Sequence, residues 1–329
     1  MDRRAFLKTL PAAGVLSLLD PAYLSAKQAL QSGREPTQAV PRRTYGRASD
    51  TLSVIGFGGI VVKDVTPADA SRFVSEAVER GVTYFDVAPT YGNAQERLGP
   101  ALAPHRARCF LACKTTEREA AGARRELEES LRLLRTDHFD LYQLHAITTL
   151  DDVERAFARN GAMDVILEAR KQGKVRYVGF SAHSEEAAHA AMDRYDFDSV
   201  LFPFSFPTWI KGGFGPSVHA RAQEARRGLL ALKAMAYEKT PPARREGRRW
   251  NKTWYEPLDR IDQVALGLRF TRHLPVDAMI PPGHWELFKM AVELAQAGGL
   301  TPLNENERQV VSALAAESDP IFARRGAHA

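Results

Sequence analysis

The chain has little cysteine, no concentrated basic stripe and no glycine-rich phosphate turn, and each absence removes a class of protein. Only Cys109 and Cys113 occur in 329 residues. On one strand they would stand roughly 13 Å apart, too far for a mutual bridge. No disulfide framework is therefore expected, and without CxxC spacing no metal site is expected either. The net charge of +5 is modest. Its densest run, "ARREGRRWNK" at 243–252, is short and interior, unlike the basic patch of a nucleic-acid binder. "GFGGI" at 56–60 lacks the third glycine of the G-x-G-x-x-G pattern, Val61 standing there, and has no helix directly behind it, which argues against a dinucleotide fold of the doubly wound kind.

The N-terminus reads as an address. "MDRRAFLKTLPAAGVLSLL" sets a charged start with Arg3 and Arg4 before an apolar stretch too short to span a bilayer comfortably. Arg-Arg-x-Phe-Leu-Lys resembles the twin-arginine export signal, whose pathway carries proteins already folded. Two cysteines and no disulfide framework agree with folding before export. Residues 1–26 are assigned to the signal, with Leu24-Ser25-Ala26 as the best, though poor, cleavage site. Residues 27–43 read as a polar linker and 44–329 as the folded domain. The expected location is periplasmic, the signal being either cut or kept as an anchor.

From residue 51 onward, short apolar runs alternate with helical patterns. "DASRFVSEAVERG" (69–81) has Phe73, Val74, Ala77 and Val78 at helical spacing, opened by Thr66-Pro67 and stopped by Gly81. "GVTYFD", "RCFLACKT", "FDLYQLHAI", "VRYVGFSAH", "FDSVLFPFSF", "LLALKAMA" and "VDAMIPP" read as strands between helices. Repeated βα units with no strand clusters point to a parallel sheet with helical crossovers. The length after the linker suits one closed (β/α)8 barrel; an open doubly wound sheet is the alternative.

Active sites of such barrels lie at the carboxyl ends of the strands. Three successive strands end on Asp86, Lys114 and His145, with Tyr91 in the loop after Asp86. Neighbouring parallel strands are about 4.8 Å apart, so Lys114 can lie between the acid and the imidazole. A phenol titrates near pH 10 and is a weak acid at neutral pH. A nearby ammonium stabilises phenolate and makes the phenol a better donor. Each of these residues is common in structural roles; four together at consecutive strand ends suggest proton transfer.

"YFDVAPTYGNAQERLG", "LACKT", "LYQLHAI" and "GKVRYVGFSAHS" resemble the aldo-keto reductase family across roughly residues 44 to 290. The resemblance implies a (β/α)8 barrel that binds NADP or NAD, with NADP the family's commoner choice. It implies that Tyr91 is the general acid, that Lys114 and Asp86 tune it and that His145 positions a carbonyl. For the cofactor it implies Ser181, Phe204, Lys233 and Gly283, and the basic loop adds Arg244 and Arg245 as phosphate ligands. Two anchors usual in the family are missing: Ala182 stands where an Asn is common and Leu201 where a Gln is. After the last strand "IPPGHWELFKMA" lacks a clear arginine, leaving helix amides to hold a phosphate. "WNKTWYEPL" (250–258) can be a lid over the mouth or plain packing. The expectation is an exported oxidoreductase acting on a carbonyl, alcohol or sugar. The alternative is a barrel that keeps its cofactor as a binding or regulatory module.

Overall fold

The structure, a computed structural model, describes residues 20–32 and 38–324. The twin-arginine motif lies outside the described residues. In chain order the elements begin with α1 (Pro21–Gln31), β1 (Arg42–Thr44), β2 (Thr51–Ser53), β3 (Phe57–Gly58), α2 (Pro67–Glu79), β4 (Tyr84–Asp86), α3 (Ala94–Leu102) and β5 (Phe110–Thr115). Next come α4 (Ala120–Leu134), β6 (Phe139–Ile147), α5 (Leu150–Phe157), α6 (Ala162–Lys171), β7 (Val175–Ala182), α7 (Glu185–Arg194) and β8 (Ser199–Pro203). The chain continues with α8 (Phe206–Ile210), α9 (Pro216–Glu224), β9 (Gly228–Leu232), β10 (Ala236–Lys239) and β11 (Tyr255–Pro257). It ends with α10 (Ile261–His273), β12 (Ala278–Ile280), α11 (Trp285–Gln296) and α12 (Glu305–Glu317).

Eight parallel strands run in the order β12-β9-β8-β7-β6-β5-β4-β3. The sheet closes on itself just before β3, where Ile55 bridges Met279 and the amides of Gly56 and Met279 bond to Met279 O and Val54 O at 2.8 and 2.9 Å. This is the expected (β/α)8 barrel in one domain. Two apolar layers hold it. Tyr84, Ala112, Leu141, Leu201, Leu230 and Ala278 fill the interior, while a larger shell packs between strands and helices. The alternation follows from the pleat, which sends successive side chains to opposite faces. In α2 the predicted signals act as read: Thr66 caps the helix, Pro67 opens it, and Phe73, Val74 and Ala77 are buried.

Three segments differ from the sequence reading. The first apolar run is split: β2 pairs with β1 as an antiparallel hairpin, and the barrel strand after it is short, with Phe57–Gly58 paired to β4 and Ile55 bridging Met279. "VERAFARNGAMDVILEARKQGK" (153–174) carries one continuous helical pattern in sequence, but the helix is broken between α5 and α6, where Asn160 takes a left-handed φ of 64°, as Asn tolerates better than most residues. The third difference is in the supposed linker, which holds the end of α1 and strand β1. Helix α1 is docked: Tyr23 is buried, its hydroxyl donates to Asp262 at 2.6 Å, and Lys27 pairs with the same carboxylate. The candidate cleavage point after Ala26 falls inside this helix, at a buried residue. Polar spacing hid the helix, because its contacts are ion pairs and hydrogen bonds more than an apolar stripe.

Candidate active site

Asp86 ends β4 and Lys114 lies near the end of β5, both inward-facing and buried. Lys114 Nζ donates to Asp86 and, at 3.2 Å, to Val87 O. Burial alone would disfavour the ammonium. Asp86 and the neighbouring phenol outweigh it, and the lysine's pKa is raised. Lys114 therefore carries its charge inside the barrel. Asp86 also accepts from Tyr84 Oη and Gln143 Nε2, each at 3.2 Å.

Tyr91 folds back from the β4–α3 loop over this pair. Lys114 Nζ is 5.3 Å from the centre of its ring, and the ring meets His145 edge-on with centroids 5.8 Å apart. Burial raises the phenol's pKa and Lys114 pulls against that rise. The net direction is upward, where the sequence argument had stressed the lysine alone. His145 is driven from 6.5 down to about 2, first by burial and then by the Lys114 charge. It is a neutral imidazole at any physiological pH.

The geometry that aims His145 was not foreseen. Beyond Leu144 the ladder of β6 and β7 slips its register, and Ala146 adopts a left-handed φ of 52°. A bulge of this kind re-aims a side chain at a strand end. Ser181 Oγ accepts from Ala146 N at 2.8 Å, and Arg118 donates to His145 O at 2.8 Å while pairing with Asp152. Ser181, predicted to meet a cofactor, is buried and makes this contact.

The four catalytic candidates come together. Asp86, Tyr91 and His145 line a cavity of about 270 Å³, with Lys114 directly beneath. The rest of the wall includes Gly58, Ile60, His183, Lys233, Lys252, Trp254 and Pro281–Gly283. Gly283 is required there, because a Cβ would stand 2.3 Å from a methyl of Ile60. The segment between β9 and α10 crosses the mouth as a strap. Lys252 Nζ ties it to the carbonyls of Val61 and Lys63 at 3.1 and 2.6 Å, and Lys252 N donates to His284. Trp254, 54% exposed, is its outer edge.

The remaining candidates scatter. Lys233 is in the cavity wall. Phe204 is fully buried among Phe202, Trp209 and His219 and does not line the cavity. Arg244 and Arg245 are exposed, and Arg245 borders a separate depression with Lys239 and Arg248. Leu201 is part of the barrel interior, which accounts for an apolar residue at that position. Sequence reasoning missed Tyr84 and Gln143. Both were signalled by the two-residue period, lying two positions before Asp86 and His145 on the same inward face. Among the described residues no cluster suits a metal ion, and no helix is long and apolar enough to cross a membrane.

A closed (β/α)8 barrel with Asp, Lys, Tyr and His at its carboxyl face defines a class, and comparison with known proteins agrees with it. Residues 54–210 match the model of the Aldo/keto reductase family. Among curated proteins, an uncharacterized oxidoreductase of Bacillus subtilis (strain 168) is 26% identical over 178 residues, covering 50% of this chain and 56% of its own. An aldo-keto reductase of the same organism is 34% identical over 149 residues, covering 41% and 43%. The chain thus spans about half the length of the curated relatives it matches. Among solved structures, the holo form of an aldo-keto reductase from Bacillus halodurans superposes with a TM-score of 0.65 at 22% identity, covering 88% of this chain and all of that one. A glycerol dehydrogenase from Gluconobacter oxydans gives 0.62 at 19% identity, covering 86% and 97%. At these identities the structural likeness shows the fold.

Proposed function

We propose that the protein is an NAD(P)-dependent oxidoreductase that reduces a carbonyl, or oxidises the matching alcohol, at the cavity of Tyr91 and His145. The observation that carries this is the buried Lys114–Asp86 pair set beneath a tyrosine and a neutral histidine. His145 and Tyr91 face one small cavity, so a carbonyl oxygen placed there meets both. As negative charge develops on that oxygen, Tyr91 gives its proton, and the fixed Lys114 ammonium stabilises the phenolate left behind. Asp86 holds the ammonium in place, and Tyr84 and Gln143 hold Asp86.

A bound nicotinamide nucleotide supplies the hydride. The residues present suit its phosphates at the Gly58–Gly283 edge, where side chains are excluded and the chain leads into α11, whose N-terminal amides favour an anion. They suit its carboxamide less well, since Ser181 is engaged with Ala146 and Ala182 and Leu201 are apolar. That thinning favours the second reading, a barrel that retains a nucleotide with little turnover. We also propose export by the twin-arginine machinery to the periplasm, from Arg3-Arg4-x-Phe-Leu-Lys.

The test is nucleotide oxidation with a panel of aldehydes, beside melting curves with NADPH and NADH. A nucleotide that binds the folded state raises the melting temperature by mass action. A shift with turnover supports the reductase, and a shift without turnover on any carbonyl supports the second reading. No shift at millimolar nucleotide contradicts both.

A further inference from the structure

The cavity contains one cation that the chemistry above does not use. Lys233 follows β9 with a left-handed φ of 63°, a backbone state that a non-glycine residue adopts at some cost and often at functional sites. Its ammonium has no carboxylate within ion-pair distance and no hydrogen-bond acceptor among the described residues. Its neighbours are the rings of Trp254 and Phe322, each with its centre 5.8 Å away. Asp86 is the one carboxylate in the cavity wall, and Lys114 already neutralises it. The second wall lysine, Lys252, is committed to backbone carbonyls. Burial lowers the pKa of Lys233 to about 8, which leaves it largely charged at neutral pH.

His183 stands beside it. The imidazole stacks on Phe322 at 5.3 Å, and its buried Nε2 has no partner. Burial and then the Lys233 charge hold it neutral, with a pKa of about 3. An unpaired ammonium and an unpaired imidazole nitrogen share one small cavity with Tyr91 and His145. A half-buried cation without a partner is costly unless a ligand supplies one.

We propose that Lys233 and His183 form an anion subsite for the substrate, so that the preferred substrate is an acidic carbonyl compound, an oxo acid or the corresponding hydroxy acid. The inference rests on the reductase reading for the word substrate, but the subsite itself does not. The placement favours a substrate carboxylate over a cofactor phosphate. Lys233 directly follows β9 and its charge acts on His183, which directly follows β7, whereas Gly58 ends β3 and Gly283 lies just before α11, each packed against an isoleucine. One cation walled by aromatic rings matches a planar monoanion.

The probes are 4-(hydroxymethyl)benzoate and its amide, which differ only in charge, titrated calorimetrically into the protein with and without NADP or NAD. The acid should bind at least about 10-fold more tightly than the amide, as expected for a charge-assisted contact. Lys233→Met should erase that preference and leave amide affinity unchanged, and Lys233→Arg should keep part of it. Lys233→Gln, with a melting curve for each variant, serves if the Met variant misfolds. Equal binding of acid and amide by the unmodified protein overturns the proposal, and so does a preference that survives Lys233→Met. It is equally overturned if the substitution weakens NADPH or NADH and spares the acid preference, since the lysine then serves a cofactor phosphate. Turnover of 4-carboxybenzaldehyde is measured separately. Acid preference without turnover with either nucleotide would leave the subsite standing and remove the reductase.

Discussion

At the scale of single residues, the site depends on neutral histidines and one buried charge pair. His145 and His183 have folded pKa values of about 2 and about 3, against 6.5 for the free side chain. Between those values the unfolded chain binds protons that the folded chain refuses, so their contribution to stability is present above about pH 6.5 and is lost as pH falls. The melting temperature should therefore drop between pH 7 and pH 5, with a shallower slope in His145→Gln and His183→Gln. Slopes identical to the parent's would contradict the assignment of neutral, buried imidazoles. Ser181→Ala gives a second test at this scale. Removing the acceptor of Ala146 N loosens the bulge that aims His145, so turnover should fall about 10-fold or less, with a melting loss of about 1 kcal/mol. Nucleotide affinity should hold, because Ser181 faces the backbone and not the cavity. A weakened nucleotide with normal turnover would return Ser181 to the cofactor.

The elements were legible where their periodicity was strong and obscure where polar contacts define them. Asp86, Lys114 and His145 could be read because a charged or imidazole side chain at the end of an apolar strand needs an explanation. Helix α1 could not. It is held by Tyr23 and Lys27 on Asp262, and by Asp20 N donating to Glu307, which is itself locked to Arg269 at 2.6 Å with both side chains fully buried. No pattern in the sequence pairs residue 20 with residue 307. A chain beginning at residue 27 should melt below one beginning at residue 20, since it loses Tyr23 and leaves Asp262 with fewer partners. Equal melting curves would show that α1 is dispensable. Arg269→Met should cost about 3–5 kcal/mol, because it strands Glu307 as an unpaired buried carboxylate; chemical denaturation measures this directly. The strap was half legible: its basic run suggested phosphate contacts, but the structure turns Arg248 inward onto Thr253 O and Tyr255 O and leaves Arg244 exposed. The residue that does tie it down, Lys252, looked like an ordinary surface lysine.

For the whole molecule, the barrel brings four residues spread over 60 positions of sequence to one mouth and encloses them under a strap. Export is a question at this scale too, and Arg3→Lys with Arg4→Lys should leave the protein in the cytoplasm; an unchanged periplasmic fraction would contradict the twin-arginine assignment. The central claim, that Tyr91 is the proton donor and Lys114 its charged support, is tested most directly by a double-mutant cycle in steady-state carbonyl reduction. Tyr91→Phe keeps the ring, so fold and nucleotide binding should survive while turnover falls by about two to four orders of magnitude. Lys114→Met should also lower turnover, and the double variant should be far more active than the product of the two single losses, because the residues act as a unit. Near-full turnover in Tyr91→Phe with an intact melting curve, or strictly multiplicative losses in the pair, would contradict the account.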